Sequence, residues 1–220
     1  MARPEVLTEE VLAVAETIWP TIHAERQALI DDLTGLRPEQ WQARSLAQPW
    51  TVHDVLAHLV AAARMTPLRF FPGLAGVGFD FHRFMDKLVA RERAGGPEAT
   101  LASFRAVRLR TSSPPAPPTT WLGEAFVHGE DIRRPLGIAH SYPLPQVVRV
   151  IRYYARLNAL LGARRRIAGV TLTASDTDFS LGSGPVVEGP AISLLMATAG
   201  RKAVLDDLTG PGVRLLRERP

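Results

Sequence analysis

The chain contains no cysteine. That absence removes a disulfide scaffold, a thiolate-ligated zinc finger, an iron–sulfur cluster and a cysteine nucleophile together, and it accords with a reducing cytoplasm. Lysine is scarce too. Lys87 and Lys202 are the only two, so arginine supplies nearly all of the 26 cations that stand against 22 acids. A net charge of +4 over 220 residues is a weak electrostatic footprint. Its densest run, Arg164-Arg165-Arg166, reads as a helix end, where cations face the negative pole, rather than as a nucleic-acid stripe. No uncharged apolar run reaches the ~18 residues that would cross a bilayer. The segment Met1-Ala2-Arg3-Pro4-Glu5 lacks the apolar core of a signal peptide. The expectation is a soluble, cytoplasmic protein with neither nucleic acid nor membrane as partner.

What the chain does have is apolar content, 46% of its residues, enough for a sizeable core without covalent staples. Val11, Val14, Ala15, Ile18, Ile22, Leu29, Ile30 and Leu33 recur at three- and four-residue steps, with Glu25, Arg26, Asp31 and Asp32 on the other faces, which predicts a first helix. Pro20 predicts a kink or a helix start at the Trp19-Pro20 step. A connection follows from Gly35 to about Pro49. Thr51 with Asp54 three residues on reads as an N-cap and acidic first turn, opening a second helix with the stripe Val52, Val55, Leu56, Leu59 and Val60. Gly73, Gly76 and Gly78 break the chain. Further helices are expected over Phe81 to Arg93, Glu98 to Arg110, Thr120 to Arg134 (ended by Pro135 and Gly137) and Pro145 to about Leu161. The proline-rich run from Ser112 to Pro118 is a stiff crossover.

After Arg166 the period changes. Val170-Thr171-Leu172-Thr173-Ala174 alternates as a strand does. Phe179-Ser180-Leu181 and Val186-Val187 suggest two more, and Ala191 to Ala199 an apolar helix. The expected fold class is therefore α+β: a helical bundle over residues 1–162, then a small α/β domain over 163–220.

The chemistry concentrates on Glu124 and His128, four apart and so on one helix face. His58, on the second helix, can join them if the two helices are bundle neighbours. Two imidazoles and a carboxylate form a catalytic zinc set with a fourth position left open, and they suit nickel, cobalt or iron as well. Asp54 and Asp131 are placed to orient the imidazoles as acceptors. Spacing alone equally allows a surface ion pair and a core histidine. His23, His53, His82 and His140 have no partner at a diagnostic spacing and read as solvated surface positions.

Two stretches settle the choice by resemblance. Pro49-Trp50-Thr51-Val52-His53-Asp54-Val55-Leu56-Ala57-His58-Leu59 and Gly123-Glu124-Ala125-Phe126-Val127-His128-Gly129-Glu130-Asp131-Ile132-Arg133-Arg134-Pro135 resemble the two ligand helices of the mycothiol-dependent maleylpyruvate isomerase family, within the DinB-like four-helix-bundle superfamily. The run Asp178-Phe179-Ser180-Leu181-Gly182-Ser183-Gly184-Pro185 and Gly200-Arg201 resemble that family's C-terminal α/β domain, which is sterol-carrier-like. Residues 61–118 carry no motif of the family. The resemblance implies a DinB-like bundle, metal ligands His58, Glu124 and His128, and a catalytic role for Arg201. It implies a divalent metal, zinc first and nickel or another as alternatives, with mycothiol or a similar thiol as cosubstrate.

The leading functional expectation is a metal- and thiol-dependent isomerase or S-transferase acting on a small electrophile that bears a carboxylate. The absence of cysteine fits a sulfur supplied from outside the chain. A metal-dependent hydrolase and a non-catalytic metal or small-ligand carrier are the alternatives. The partners are a small substrate and a thiol, in a monomer or homodimer.

Overall fold

In a computed structural model of the chain, residues 4–158 and 162–219 are described, with side chains from residue 18 onward. The helices are α1 (Pro4–Leu33), α2 (Pro38–Trp41), α3 (Val52–Arg64), α4 (Pro67–Ala75), α5 (Phe81–Arg93), α6 (Gly96–Val107), α7 (Pro118–Leu136), α8 (Leu144–Tyr154) and α9 (Ala163–Arg166). Strands β1 (Thr171–Ala174), β2 (Ser180–Gly182) and β3 (Val186–Gly189) follow, then α10 (Ala191–Thr198), a 3₁₀ turn at Lys202–Asp207 and α11 (Val213–Glu218). The α+β expectation holds, and the chain forms two compact units, Met1–Ile138 and Ala139–Pro220.

In the first unit α1 packs on α7, α7 on α3, α3 on α6 and α6 on α1, closing a four-helix ring, while α5 lies against α3 and α6. Its centre is a continuous apolar cluster that includes Leu33, Trp41, Leu56, Leu101, Phe104 and Ile132. Burying each such side chain is worth roughly 1.5–3 kcal/mol. The second helix starts as read from sequence. Thr51 accepts from the Asp54 amide at 3.2 Å, and Asp54 Oδ2 accepts from the Thr51 amide at 2.9 Å, a reciprocal box that satisfies two otherwise orphaned donors.

Two prolines do less than expected. Helix α1 runs on through Pro20, because Ile18 and Ile22, on either side of it, are fully buried and one lost backbone bond does not outweigh that packing. The side chains of Val11, Val14 and Ala15 lie outside the described residues. Helix α7 continues past Pro135 and ends at Gly137, whose φ of +69° is the left-handed conformation of a helix C-terminus. Pro135 has no N–H to give the Asp131 carbonyl. That carbonyl instead accepts from the Leu46 amide at 3.1 Å, so the gap in the ladder is filled by a distant loop. The same helix is pinned to α1 by Arg133, which is fully buried and donates from Nε to Asp32 Oδ2 at 2.7 Å.

In the second unit β1 lies between β2, antiparallel to it, and β3, parallel to it, with Leu172 opposite both Leu181 and Val187. Gly184, at φ +121°, passes so close to the Gly169 carbonyl that a Cβ there would sit 2.3 Å from its oxygen, so no other residue fits. Asp176 Oδ1 accepts from the Ala191 amide at 2.9 Å and caps α10, and α10 packs on α8. That contact places α8 with the second compact unit, which begins at Ala139. Helix α8 gives its apolar face to the second unit. It also stops at Tyr154, short of the expected end near Leu161, which itself lies outside the described residues. Among the described residues no helix is long and apolar enough to cross a membrane.

Candidate functional site

Helices α3 and α7 bring the sequence-predicted triad together. His58 Nε2 lies 2.8 Å from Glu124 Oε2, and His128 Nε2 lies 3.5 Å from the same oxygen. All three ligand atoms fall within 4.8 Å of one another. The spacing on α7 follows from the helix period, and His58 is delivered by the packing of α3 on α7. Both imidazoles are buried at 8% exposure, while the Glu124 side chain is 26% exposed. The cluster is thus closed on its nitrogen side and accessible at its carboxylate. Glu124 also lines a cleft with Leu29, Leu59, Phe104 and Trp121.

The shell behind the triad is half as expected. Asp131, fully buried, holds His128 Nδ1 at 2.8 Å. A carboxylate accepts, so Nδ1 donates to Asp131 and Nε2 is turned toward Glu124. Asp54 does not orient His58. Its Oδ2 accepts from the Thr51 amide and hydroxyl, and its Oδ1 accepts from Arg93. His58 Nδ1 is buried without a partner in the protein. Packing fixes that ring instead, between Trp50 at 5.1 Å and His128 at 4.8 Å between ring centroids. Trp50 stands inside the recognised motif, yet nothing in its spacing marked it as a wall of the site.

Of the other histidines, His82 is exposed as expected. His53 is not. It is 3% exposed and bonds Thr100 Oγ1 through Nε2 at 2.9 Å, and burial, with Arg93 adding to it, lowers its pKa. His23 is half-buried beside Trp19, with its pKa lowered by burial and then by Arg26. His140 packs its ring edge-on to Tyr142 at 4.5 Å.

Arg201 belongs to the second unit. It opens the 3₁₀ turn, is half-buried, and donates from Nη1 to the Ala199 carbonyl at 3.2 Å. Its charge adds to burial in lowering the pKa of Arg166.

Fold and site together define a four-helix-bundle protein whose core presents two histidines and a glutamate as one set of metal-type donors. Residues 22–121 match the family model of the mycothiol maleylpyruvate isomerase N-terminal domain, a stretch that includes His58 and stops just short of Glu124. Two crystal structures, of the mycothiol-dependent maleylpyruvate isomerase and of a histidine-to-alanine mutant of it, share the fold with TM-scores of 0.62 and 0.61. In both cases identity is 14%, over 93% of this chain and 94% of the other. No curated protein matches the sequence. The chain is thus similar to this family's N-terminal domain over residues 22–121, and it shares the fold of these structures along nearly its whole length. The match also runs through residues 61–118, where no motif was legible.

Proposed function

We propose that this protein is an enzyme of the mycothiol-dependent maleylpyruvate isomerase type: a divalent-metal- and thiol-dependent isomerase or S-transferase. Its substrate would be a small electrophile bearing a carboxylate. The observation that carries the reading is the convergence of His58, Glu124 and His128 within 4.8 Å in a chain that matches this family.

The donor set fits a divalent ion. Two neutral nitrogens and one carboxylate suit zinc, and nickel also, and leave a fourth position for a ligand. Bound there, such an ion would lower the pKa of a coordinated thiol, so a chain without cysteine can use sulfur supplied by a cosubstrate. The chain's own residues set the stage for that. Asp131 fixes the tautomer of His128, Trp50 holds the His58 ring and excludes water from its face, and Glu124 presents its oxygen on the accessible side. In the second unit Arg201 is proposed to hold a substrate carboxylate through parallel hydrogen bonds and to stabilise charge that develops on a carbonyl oxygen.

The test has two parts. Protein purified without added metal should contain near-stoichiometric zinc or another transition metal, and it should isomerise maleylpyruvate only when mycothiol is present. Metal content unchanged in a His58→Ala, His128→Ala double variant would overturn the ligand assignment. Turnover independent of any thiol would overturn the cosubstrate.

A further inference from the structure

Arg26, on α1, has surroundings that do not match its charge. Its Nη1 donates to the backbone carbonyls of Arg108 at 3.3 Å and Arg110 at 2.8 Å, just past the end of α6. Among the described residues no carboxylate lies within ion-pair distance of it. Partial burial pulls the pKa of the guanidinium down to about 10. The side chain is half-buried, and the charge it keeps in the protein meets only neutral dipoles.

The position of Arg26 gives that anomaly a use. It lines the same cleft as Glu124, whose apolar walls are Leu29, Leu59 and Phe104. Trp121 lines it too, and its indole Nε1–H is buried with no acceptor in the protein. The cleft therefore holds one charged donor and one neutral donor, neither matched to an anion. Its two carboxylates are already engaged: Glu25 Oε2 faces Arg133 Nη1 at 3.8 Å, and Glu124 Oε2 faces His58 Nε2 at 2.8 Å. The two carbonyls occupy Nη1 alone, which leaves Nε and Nη2 of Arg26 for a planar anion. Apolar walls strengthen any such pair by lowering the local dielectric.

We propose that this cleft is a carboxylate-binding subsite beside the triad, with Arg26 as the counter-charge and Trp121 Nε1–H as the second donor. The proposal rests on the catalytic reading above only for its purpose, since the binding itself can be measured without turnover. The carboxylate could belong to the electrophile or to the thiol.

The experiment is calorimetric titration of the full-length, metal-replete protein with maleate, and separately with N-acetylcysteine as a carboxylate-bearing thiol. Wild type, Arg26→Lys, Arg26→Met and Trp121→Phe are compared. Loss of a half-buried charge partner should weaken binding about tenfold in Arg26→Met, and Trp121→Phe should weaken it about three- to tenfold. Arg26→Lys should fall between wild type and Arg26→Met. Whichever of the two probes shows this pattern identifies the source of the carboxylate. Because Arg26→Met also frees the Arg108–Arg110 segment, Trp121→Phe, which keeps the ring, serves as the independent arm. Binding unaffected by both Arg26→Met and Trp121→Phe, or no binding of either probe to wild type, overturns the proposal. The His58→Ala, His128→Ala variant separates the two readings. Arg26-dependent binding that survives there upholds the subsite even if the metal reading fails. Binding that vanishes there and ignores Arg26 leaves the metal reading standing and removes the subsite.

Discussion

His128 shows how one hydrogen bond can decide the chemistry of a side chain. With Nδ1 held by the buried Asp131, only Nε2 is presented to the cluster. Replacing such a partner of a ligand ordinarily lowers metal affinity about ten- to a hundredfold. Asp131→Ala is therefore expected to weaken zinc binding by that factor in a chelator-competition titration, and unchanged competition would show that packing alone orients the ring. His53 illustrates the opposite case, an imidazole buried for structure. Its folded pKa is lowered, so below the ordinary value of about 6.5 the unfolded chain binds more protons than the folded one. Stability is thus fully present above that value and is lost as pH falls toward the lowered folded pKa. Thermal melts taken downward from pH 7 should show this slope, and it should be shallower in His53→Gln.

The helix that bears two of the three ligands is held by charges as much as by its apolar face. Arg133 is fully buried and reaches both Asp32 and Glu25 on α1, so it sets how α7 lies on α1 one turn beyond the ligand segment. Removing one partner of a buried pair strands the others. Arg133→Ala should destabilise the protein by about 3–5 kcal/mol in denaturant unfolding, whereas a loss below ~1 kcal/mol would mark the pair as a surface-type contact. Sequence periodicity had put Glu25 and Asp32 on the polar side of α1, facing water. Their pairing with a residue about a hundred positions away turned that side inward. The N-cap of α3, by contrast, needs only neighbours in sequence and was legible there. Thr51→Ala should cost about 1 kcal/mol.

Across the whole chain, the two units supply different chemistry under the proposed function: metal-type donors in the first, an arginine in the second. If Arg201 stabilises the transition state, Arg201→Ala should lower turnover of maleylpyruvate about a hundred- to a thousandfold. Metal content should stay at the wild-type level, because Arg201 is not among the donor set. Arg201→Lys should also be impaired, since an ammonium cannot reproduce the guanidinium fork. Turnover near wild type in Arg201→Ala would make the residue structural and confine the chemistry to the first unit.

The division between what could be read and what had to be folded follows the range of the interactions. The capping box at Thr51 and Asp54, the α7 stop at Gly137, the alternation of β1 and the shared face of Glu124 and His128 all depend on residues a few positions apart. Helix and strand geometry fix such relations wherever the chain goes. The third ligand, His58, could be joined to the other two only on the condition that its helix is their neighbour, and motif resemblance backed that condition. The rest depended on contacts between distant segments. Asp54 is drawn from His58 to Arg93, Pro135 is tolerated because Leu46 satisfies the Asp131 carbonyl, His53 is buried against Thr100, and α8 packs on α10. Arg26 shares this dependence. On the sequence it is one more cation on a polar helix face, and only the packing of α1 on α6 sets it half-buried against the Arg108 and Arg110 carbonyls.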